Sequence, residues 1–438
     1  MGERHINMFA GSPLNRLAWL RPSHSFLNAI VVLDSTRWLL FNSGQPLVAA
    51  KPEDPSSQTL AYLSTDDVRT FLGPEPFFGQ GEDGSIVVES NDDLAQSLTA
   101  SARHCEPRII FLGLKELSLS TTALPTTDFV DPKAAIANLQ GTPFFSMDVS
   151  DLRLPSEQLK ATLDTSSLVQ NGQILSWSEP RVLMSGLDTF SGAVFAEARS
   201  LVDWNKRNKF CPACGSRTYS MWGGWKLSCS SLLPWATAGE EPCLSSKGLH
   251  NFCHPRTDPV VIMLVINERG EKVLLGRGKR FPPKFYSALA GFVEPGETFE
   301  DAVEREIWEE VGAAVWNIKY HSGQPWPYPA NLMLGFYMRA DSSHPIRTDL
   351  DNELADARWY THAEILSVLD PEGLSGRPRG SDNLDHFQAT EPPAPAKPRA
   401  TPESTSFTLP PATTLAGTMI RDWAFGKLGL LHHSLYHC

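Results

Sequence analysis

Residues Gly291 to Ala313 read GFVEPGETFEDAVEREIWEEVGA, a glycine-containing turn followed by a helical pattern carrying Glu306, Glu309 and Glu310. Residues three and four apart share a helix face, so these carboxylates point the same way. They repel one another, and Arg305 is the only cation beside them in the helical stretch. Hard divalent cations relieve such an array, and Mg²⁺ is commonly held by a few carboxylates together with substrate phosphates. The chemistry indicated is attack of water on phosphorus, with Glu306 and Glu310 holding roughly two or three Mg²⁺ or Mn²⁺ ions that neutralise a diphosphate and activate water. Glu309 is either a further ligand or an aid in taking the proton, and the spacing leaves the division open. The competing reading is a solvated acidic helix.

Other elements must position these groups. Val303, Ile307 and Val311 recur every four residues on a neighbouring face, which anchors the helix in a core. Pro295-Gly296 supplies the turn before it and Thr298 is the candidate cap. Ser322 to Met333 reads SGQPWPYPANLM, whose prolines make a stiff, extended segment excluded from a central strand. Trp326 and Tyr328 in it are rigid platforms for flat rings; a proline-rich surface loop is the alternative. Upstream, Cys211-Pro212-Ala213-Cys214-Gly215 precedes Cys229, Cys243 and Cys253, so five of the seven cysteines fall in one short region. Paired cysteines on a tight turn suit tetrahedral zinc. A redox pair competes for Cys-Pro-Ala-Cys, but the pattern around it lacks a βαβ context.

The order Gly291, five residues, Glu297, seven residues, Arg305-Glu306-Ile307, one residue, Glu309-Glu310, one residue, Gly312 resembles the signature box of Nudix hydrolases. These enzymes cleave a nucleoside diphosphate linked to another group. Ala313 departs from the larger aliphatic residue usual there. The proline segment resembles the SQPWPFPxS motif of NADH pyrophosphatases: Gln324, Pro325, Trp326, Pro327 and Pro329 match, whereas Gly323, Tyr328 and Asn331 differ. The resemblance implies a catalytic set of Arg305, Glu306, Glu309 and Glu310. It implies metal ligation by Glu306, Glu310, Glu353 ahead of Ala357-Arg358-Trp359-Tyr360, and the Ala290 carbonyl. Substrate contacts are expected from residues 324–331, namely Gln324, Pro325, Trp326, Pro327, Tyr328, Pro329, Ala330 and Asn331, and from Ala416 on the last helix. Phe292 and Trp326 are the candidates for sandwiching a base or nicotinamide ring.

The same subfamily carries a four-cysteine zinc ribbon before its catalytic domain, followed by a strand entry that resembles His254-Pro255-Arg256-Thr257-Asp258-Pro259. One structural Zn²⁺ on Cys211, Cys214, Cys229 and Cys243 is the favoured assignment, with Cys253 the rival fourth ligand. The expected fold is α/β (α+β): a Nudix α/β/α sandwich preceded by the ribbon and by an amino-terminal Nudix-like α/β domain. The expected domains are 1–205, non-catalytic; 206–255, zinc ribbon; and 256–438, catalytic, with a disordered Pro-rich insertion at about 373–410. The amino-terminal half resembles the subfamily's degenerate domain at Asn15-Arg16-Leu17 and in the helical stretch AEARSLVDWNKRNKF, and is expected to serve as scaffold or in dimer formation.

Within that frame, the apolar runs flanking Asp34-Ser35-Thr36 read as a hairpin. IIFLGLKEL (109–117), VVIMLVIN (260–267), KVLLGRG (272–278), SALAGFVE (287–294) and NLMLGFYM (331–338) read as strands. Arg277, Lys279 and Arg280 are within reach of phosphate oxygens or solvated. With 438 residues, 41% of them hydrophobic, the chain is long enough for two or three cores. A net charge of −12 from 50 acidic and 38 basic residues argues against broad nonspecific nucleic-acid binding. No apolar run is long enough for a membrane span, and MGERHINMFAGSPL lacks a signal-peptide core.

The expected setting is cytoplasmic; the resemblance leaves a peroxisome open, although Tyr436-His437-Cys438 is not SKL-like. The resulting expectation is a metal-dependent diphosphatase that splits NADH or NAD⁺ into nicotinamide mononucleotide and AMP, as a homodimer. Removal of the NAD cap from RNA 5′ ends by the same chemistry, or noncatalytic nucleotide binding, are the alternatives.

Overall fold

The computed structural model describes residues 6–80, 101–116, 132–137, 139–233, 243–247, 255–350, 353–369 and 407–427. The chain forms two compact units, Met1–Asp258 with Pro325–Leu332, and Pro259–Gln324 with Met333–Cys438.

In the first unit a mixed sheet forms among the described residues from β1 (Arg37–Asn42), β2 (Gln45–Lys51), β3 (Asp54–Leu60), β4 (Tyr62–Leu63), β5 (Ile110–Glu116), β6 (Gly141–Asp148) and β7 (Ile174–Trp177). Its order is β3-β2-β1-β6-β5, with β4 on β1 and β7 on β2. The pleat sends Trp38 and Leu40 of β1 into one core with Phe26 and Leu27, and Leu39 and Phe41 into another with Val194 and Phe195. Those partners lie on α1 (His24–Val31) and α2 (Thr189–Arg207), which cover the two faces.

The hairpin expected around Asp34 is therefore a helix followed by a strand. Ser23 caps α1 by accepting from Phe26 N at 3.2 Å, and Phe26, Leu27, Ile30 and Val31 then fall on one buried face. The cysteine-bearing hairpin β8 (Thr218–Met221) and β9 (Lys226–Cys229) is tied to this unit by the buried guanidinium of Arg108, which donates to the carbonyls of Asn205 at 2.7 Å and Thr218 at 3.0 Å.

The second unit is built on β10 (Asp258–Asn267), β11 (Lys272–Gly278), β12 (Leu289–Phe292), β13 (Val315–Trp326), β14 (Asn331–Ala340) and β15 (Leu354–Thr361). The order is β13-β14-β10-β11-β15, with β12 also on β10, so the proline-bearing strand β13 stands at an edge where its missing N–H groups cost no ladder bond. Ile262 and Leu264 point into a core with Met419, Ile420 and Trp423 of α5 (Leu415–Ala424) and Ile365 of α4 (His362–Leu369). In register, Ile262 pairs with Ala290 and Val261 with Gly291. Alternation therefore turns Val261 and Gly291 to the opposite face, where α3 (Phe299–Val311) packs and buries Val303, Ile307 and Val311. Helix, sheet and helix are the layers expected.

The expected insertion at about 373–410 lies outside the described residues except at its end, and that end is not loose. Phe407 is buried against Tyr360, and Thr408 bridges to Phe285, with Thr408 N donating to Lys284 O at 2.8 Å. An aromatic ring and a strand-like bridge fix this return leg to the sheet, which polar composition alone did not reveal. Among the described residues no helix is long and apolar enough to cross a membrane.

Candidate active site and cysteine centre

The acidic helix starts where the sequence placed it. Thr298 Oγ1 accepts from Asp301 N at 3.1 Å and the Asp301 carboxylate accepts from Thr298 N at 2.9 Å, a reciprocal capping box. Gly312, at φ 69°, closes the helix with its N–H on Trp308 O. Between these ends, Arg305 gathers the acids. Its guanidinium donates to Glu297 at 2.5 and 3.0 Å, to Glu306 at 2.9 Å, to Glu309 at 3.0 Å and to the Phe292 carbonyl at 2.8 Å. This fork joins the turn, the strand end and the helix, and the surrounding acids hold the guanidinium above its ordinary pKa. Arg305 thus organises the carboxylates, a part its position in the box did not disclose.

Glu306 lies directly over Gly291: a Cβ on that glycine would sit 1.8 Å from the Glu306 Cδ. Burial raises the Glu306 carboxyl above the usual range against the pull of Arg305, and the like charges of Glu309 and Glu353 push the same way. Glu353 is therefore an electrostatic neighbour of Glu306 despite lying on the far side of the unit's sequence. Glu309 is half-exposed and turned to Arg305, whereas Glu310 is only 4% exposed.

Glu310 and Glu353 border one cavity of about 610 Å³ with Ala290, Ala416, Lys279 and Arg280. The structure thus gathers residues from a strand, a helix end, a loop and the last helix. All the expected ligands offer oxygen, and hard divalent cations fit such a set. Arg277 differs from its neighbours: Gly276 and Gly278 border this cavity, while Arg277 between them lines another on the opposite face. Phe292 is 56% exposed at the end of β12.

The proline motif divides between the units. Gln324, 1% exposed, is in the second unit, where its Nε2 donates to Thr413 O at 2.8 Å and its Oε1 accepts from Leu415 N at 2.7 Å. Its amide clamps the first turn of α5, which carries Ala416. His321 adds a second tie, with Nε2 at 3.3 Å from Asp422. Sequence reading placed Gln324 among substrate contacts and missed this clamp, whose partners are distant in the chain. Pro325, Trp326, Pro327, Tyr328, Pro329, Ala330 and Asn331 belong to the first unit. There Phe9 meets Trp326 and Tyr328 edge-on at 6.3 and 6.2 Å, Tyr328 donates to Pro180 O at 3.0 Å, and Ala330 O accepts from Asp258 N at 3.0 Å.

The Sγ atoms of Cys211, Cys214, Cys229 and Cys243 lie within 4.8 Å of one another. Two of these separations are 3.6 Å (Cys211 to Cys243) and 3.4 Å (Cys214 to Cys229), near the ~3.8 Å edge of a tetrahedron with ~2.3 Å metal–sulfur bonds. Ser231 lies 2.9 Å from the Cys229 sulfur and Ser245 donates to the Cys243 sulfur at 3.1 Å, hydroxyls placed to support thiolates. The cluster can hold a metal ion. Cys253, the rival ligand, lies outside the described residues.

A family model described as NUDIX domain matches residues 256–379. The NAD-capped RNA hydrolase of Schizosaccharomyces pombe is 34% identical over 368 residues, 84% of this chain and 86% of that protein. The chain belongs to the Nudix hydrolases of the NADH pyrophosphatase type. This Nudix chain is also similar to the NAD-capped RNA hydrolase NPY1 of Saccharomyces cerevisiae, 29% identical over 83% of this chain and 87% of that one. The human NAD-capped RNA hydrolase NUDT12 is 49% identical over 176 residues, 40% of this chain and 36% of that protein.

Proposed function

We propose that the protein hydrolyses the diphosphate bond of NAD-type dinucleotides, with the NAD cap at RNA 5′ ends as its principal substrate. Water adds at phosphorus, the bridging P–O bond breaks, and the products are nicotinamide mononucleotide and RNA bearing a 5′-monophosphate. Free NADH or NAD⁺, which has the same linkage, yields AMP instead. The observation that carries this reading is the convergence of Glu310, Glu353, Ala290, Ala416 and two cations on one cavity beside Glu306. The names of the S. pombe and S. cerevisiae relatives, matched over most of their length, support the capped substrate over the free dinucleotide.

Glu306, Glu310, Glu353 and the Ala290 carbonyl would hold divalent cations, Mg²⁺ or Mn²⁺. Bound there, the cations supply charge neutralisation for the diphosphate and a lowered pKa for water. Arg305 holds Glu306 and Glu309 in orientation by its fork. Lys279 and Arg280 on the cavity wall suit phosphate oxygens. Gln324 fixes the first turn of α5 and so the position of Ala416. The four cysteines suit one structural Zn²⁺, since four protein ligands leave no open position.

The test is turnover. With Mg²⁺ or Mn²⁺, wild type should convert NAD-capped RNA to 5′-monophosphate RNA and NADH to AMP, both read by mass spectrometry. Glu306→Gln and Glu310→Gln should each lose most of both activities. Undiminished turnover in the two variants would end the proposal. Tight NADH binding by wild type with no product, metal present, would favour a noncatalytic nucleotide binder.

A further inference from the structure

A second cavity, of about 770 Å³, opens in the Nudix unit on the other face of β11 and β15. Three cations border it: Arg277 from β11, Lys284 from the loop before β12, and Arg358 from β15. Its anions are engaged. Asp356 accepts from the Tyr286 hydroxyl and the Arg358 guanidinium, and Glu364 accepts from Thr361 N and Oγ1, each at 2.7 Å. Asp356 also feels the charge of Arg277, so the three cations Arg277, Lys284 and Arg358 face two acids in the lining, in a chain whose net charge is −12. The rings of Tyr286, Tyr360 and Phe407 pack against the same wall, Tyr360 and Phe407 with centroids 4.5 Å apart.

Lys284 has φ 73°, in the left-handed region that a lysine enters at a cost. Its carbonyl, held by Thr408 N at 2.8 Å, keeps it there. The loop that carries Lys284 also carries Lys279 and Arg280, which line the catalytic cavity. β15 is the end strand of the described sheet. One loop thus contributes cations to both cavities, Lys279 and Arg280 to the hydrolytic one and Lys284 to the second. Cationic grooves with an aromatic wall are how single strands are held without base readout.

We infer that this cavity binds a nucleotide of single-stranded RNA beyond the cap, with its phosphate on Lys284 and Arg277. The assignment rests on the capped-RNA reading. It is compatible with the acidic balance, because the positive charge is local.

The test measures fluorescence anisotropy of an uncapped RNA of about twelve nucleotides on the full chain over a salt series. Lys284→Gly removes the cation and relaxes the backbone, so it should fold at least as well as wild type. Lys284→Gly and Arg277→Gln should each weaken binding several-fold and lower the salt slope by about one. Both should raise KM on NAD-capped RNA and leave NADH turnover unchanged. Wild-type RNA affinity and salt slope in both variants would overturn the inference, as would Lys284-dependent binding of AMP with no RNA binding. If capped RNA is not turned over while NADH is, the decapping reading fails separately, and the uncapped strand still tests this cavity.

Discussion

Replacing Gly291 by alanine probes the link between fold and chemistry at one atom. The new Cβ would lie 1.8 Å from the Glu306 Cδ and 2.1 and 2.2 Å from its oxygens, where ordinary contact begins at 3.4 Å. The carboxylate must therefore retreat by about 1.6 Å. Gly291 is not among the residues of positive φ, so alanine brings no left-handed strain. The obstructing atoms end a flexible side chain, which can swing away. Stability should change little: losing the partly exposed Arg305–Glu306 pair costs at most about 1 kcal/mol, and alanine in a strand returns a similar amount over glycine.

Activity should not be spared, because a displacement of about 1 Å at a reacting centre can cost ~10²-fold. The assay is AMP release from NADH with saturating Mg²⁺, run beside a thermal melt. The expected result is a melting temperature within a few degrees of wild type and a roughly hundredfold lower kcat. A folded Gly291→Ala protein with more than half of wild-type turnover would refute the argument that Glu306 works where it sits.

Further predictions concern the supports of the site. Gln324→Ala leaves Leu415 N and Thr413 O without the amide they share, which should cost about 1–3 kcal/mol, and it should raise KM more than a Thr418→Ala control on the same helix. In the first unit, burial pushes the Glu197 carboxyl up to about 7 against the pull of Arg16 and Arg21. A raised folded-state pKa means that this part of stability is whole below the unfolded value of 4.5 and is lost as pH rises through 7. Glu197→Gln should therefore flatten the decline in melting temperature between about pH 5 and 8, an effect of order 2 kcal/mol, and parallel curves for the two proteins would contradict it. Elemental analysis should find one zinc per chain, lost in Cys243→Ser and kept in Cys253→Ser; the reverse pattern would reassign the fourth ligand.

Local chemistry was legible in the sequence where the determinants are local. The Thr298 cap, the buried repeat Val303, Ile307, Val311 and the closing Gly312 all act within one helix, so spacing alone located α3. The strands at 260–267 and 272–278 were likewise visible as apolar runs bounded by a turn. The residues before Asp34 were misread because FLNAIVVL suits either period; the Ser23 cap and a two-sided sheet chose the helix. Phe407 and Thr408 were assigned to a loose insertion because their anchors, Tyr360 and Lys284, are far away in the chain. The bonds of the Gln324 amide to Thr413 and Leu415 were invisible for the same reason, since those partners lie 89 and 91 positions on.

By itself the amino-acid order determined which groups are present and which share a helix face, because a helix repeats on a scale of a few residues. It therefore determined the acidic cluster and the cysteine set. Only the tertiary structure decided what those groups meet. Strand register put Gly291 under Glu306, and alternation along β11 sent Arg277 to one face while its neighbours border the other cavity. The fold also bent the return leg so that Gln324 grips the last helix. Such pairings depend on long loops closing against one packed sheet, and no short-range pattern encodes the place where they close.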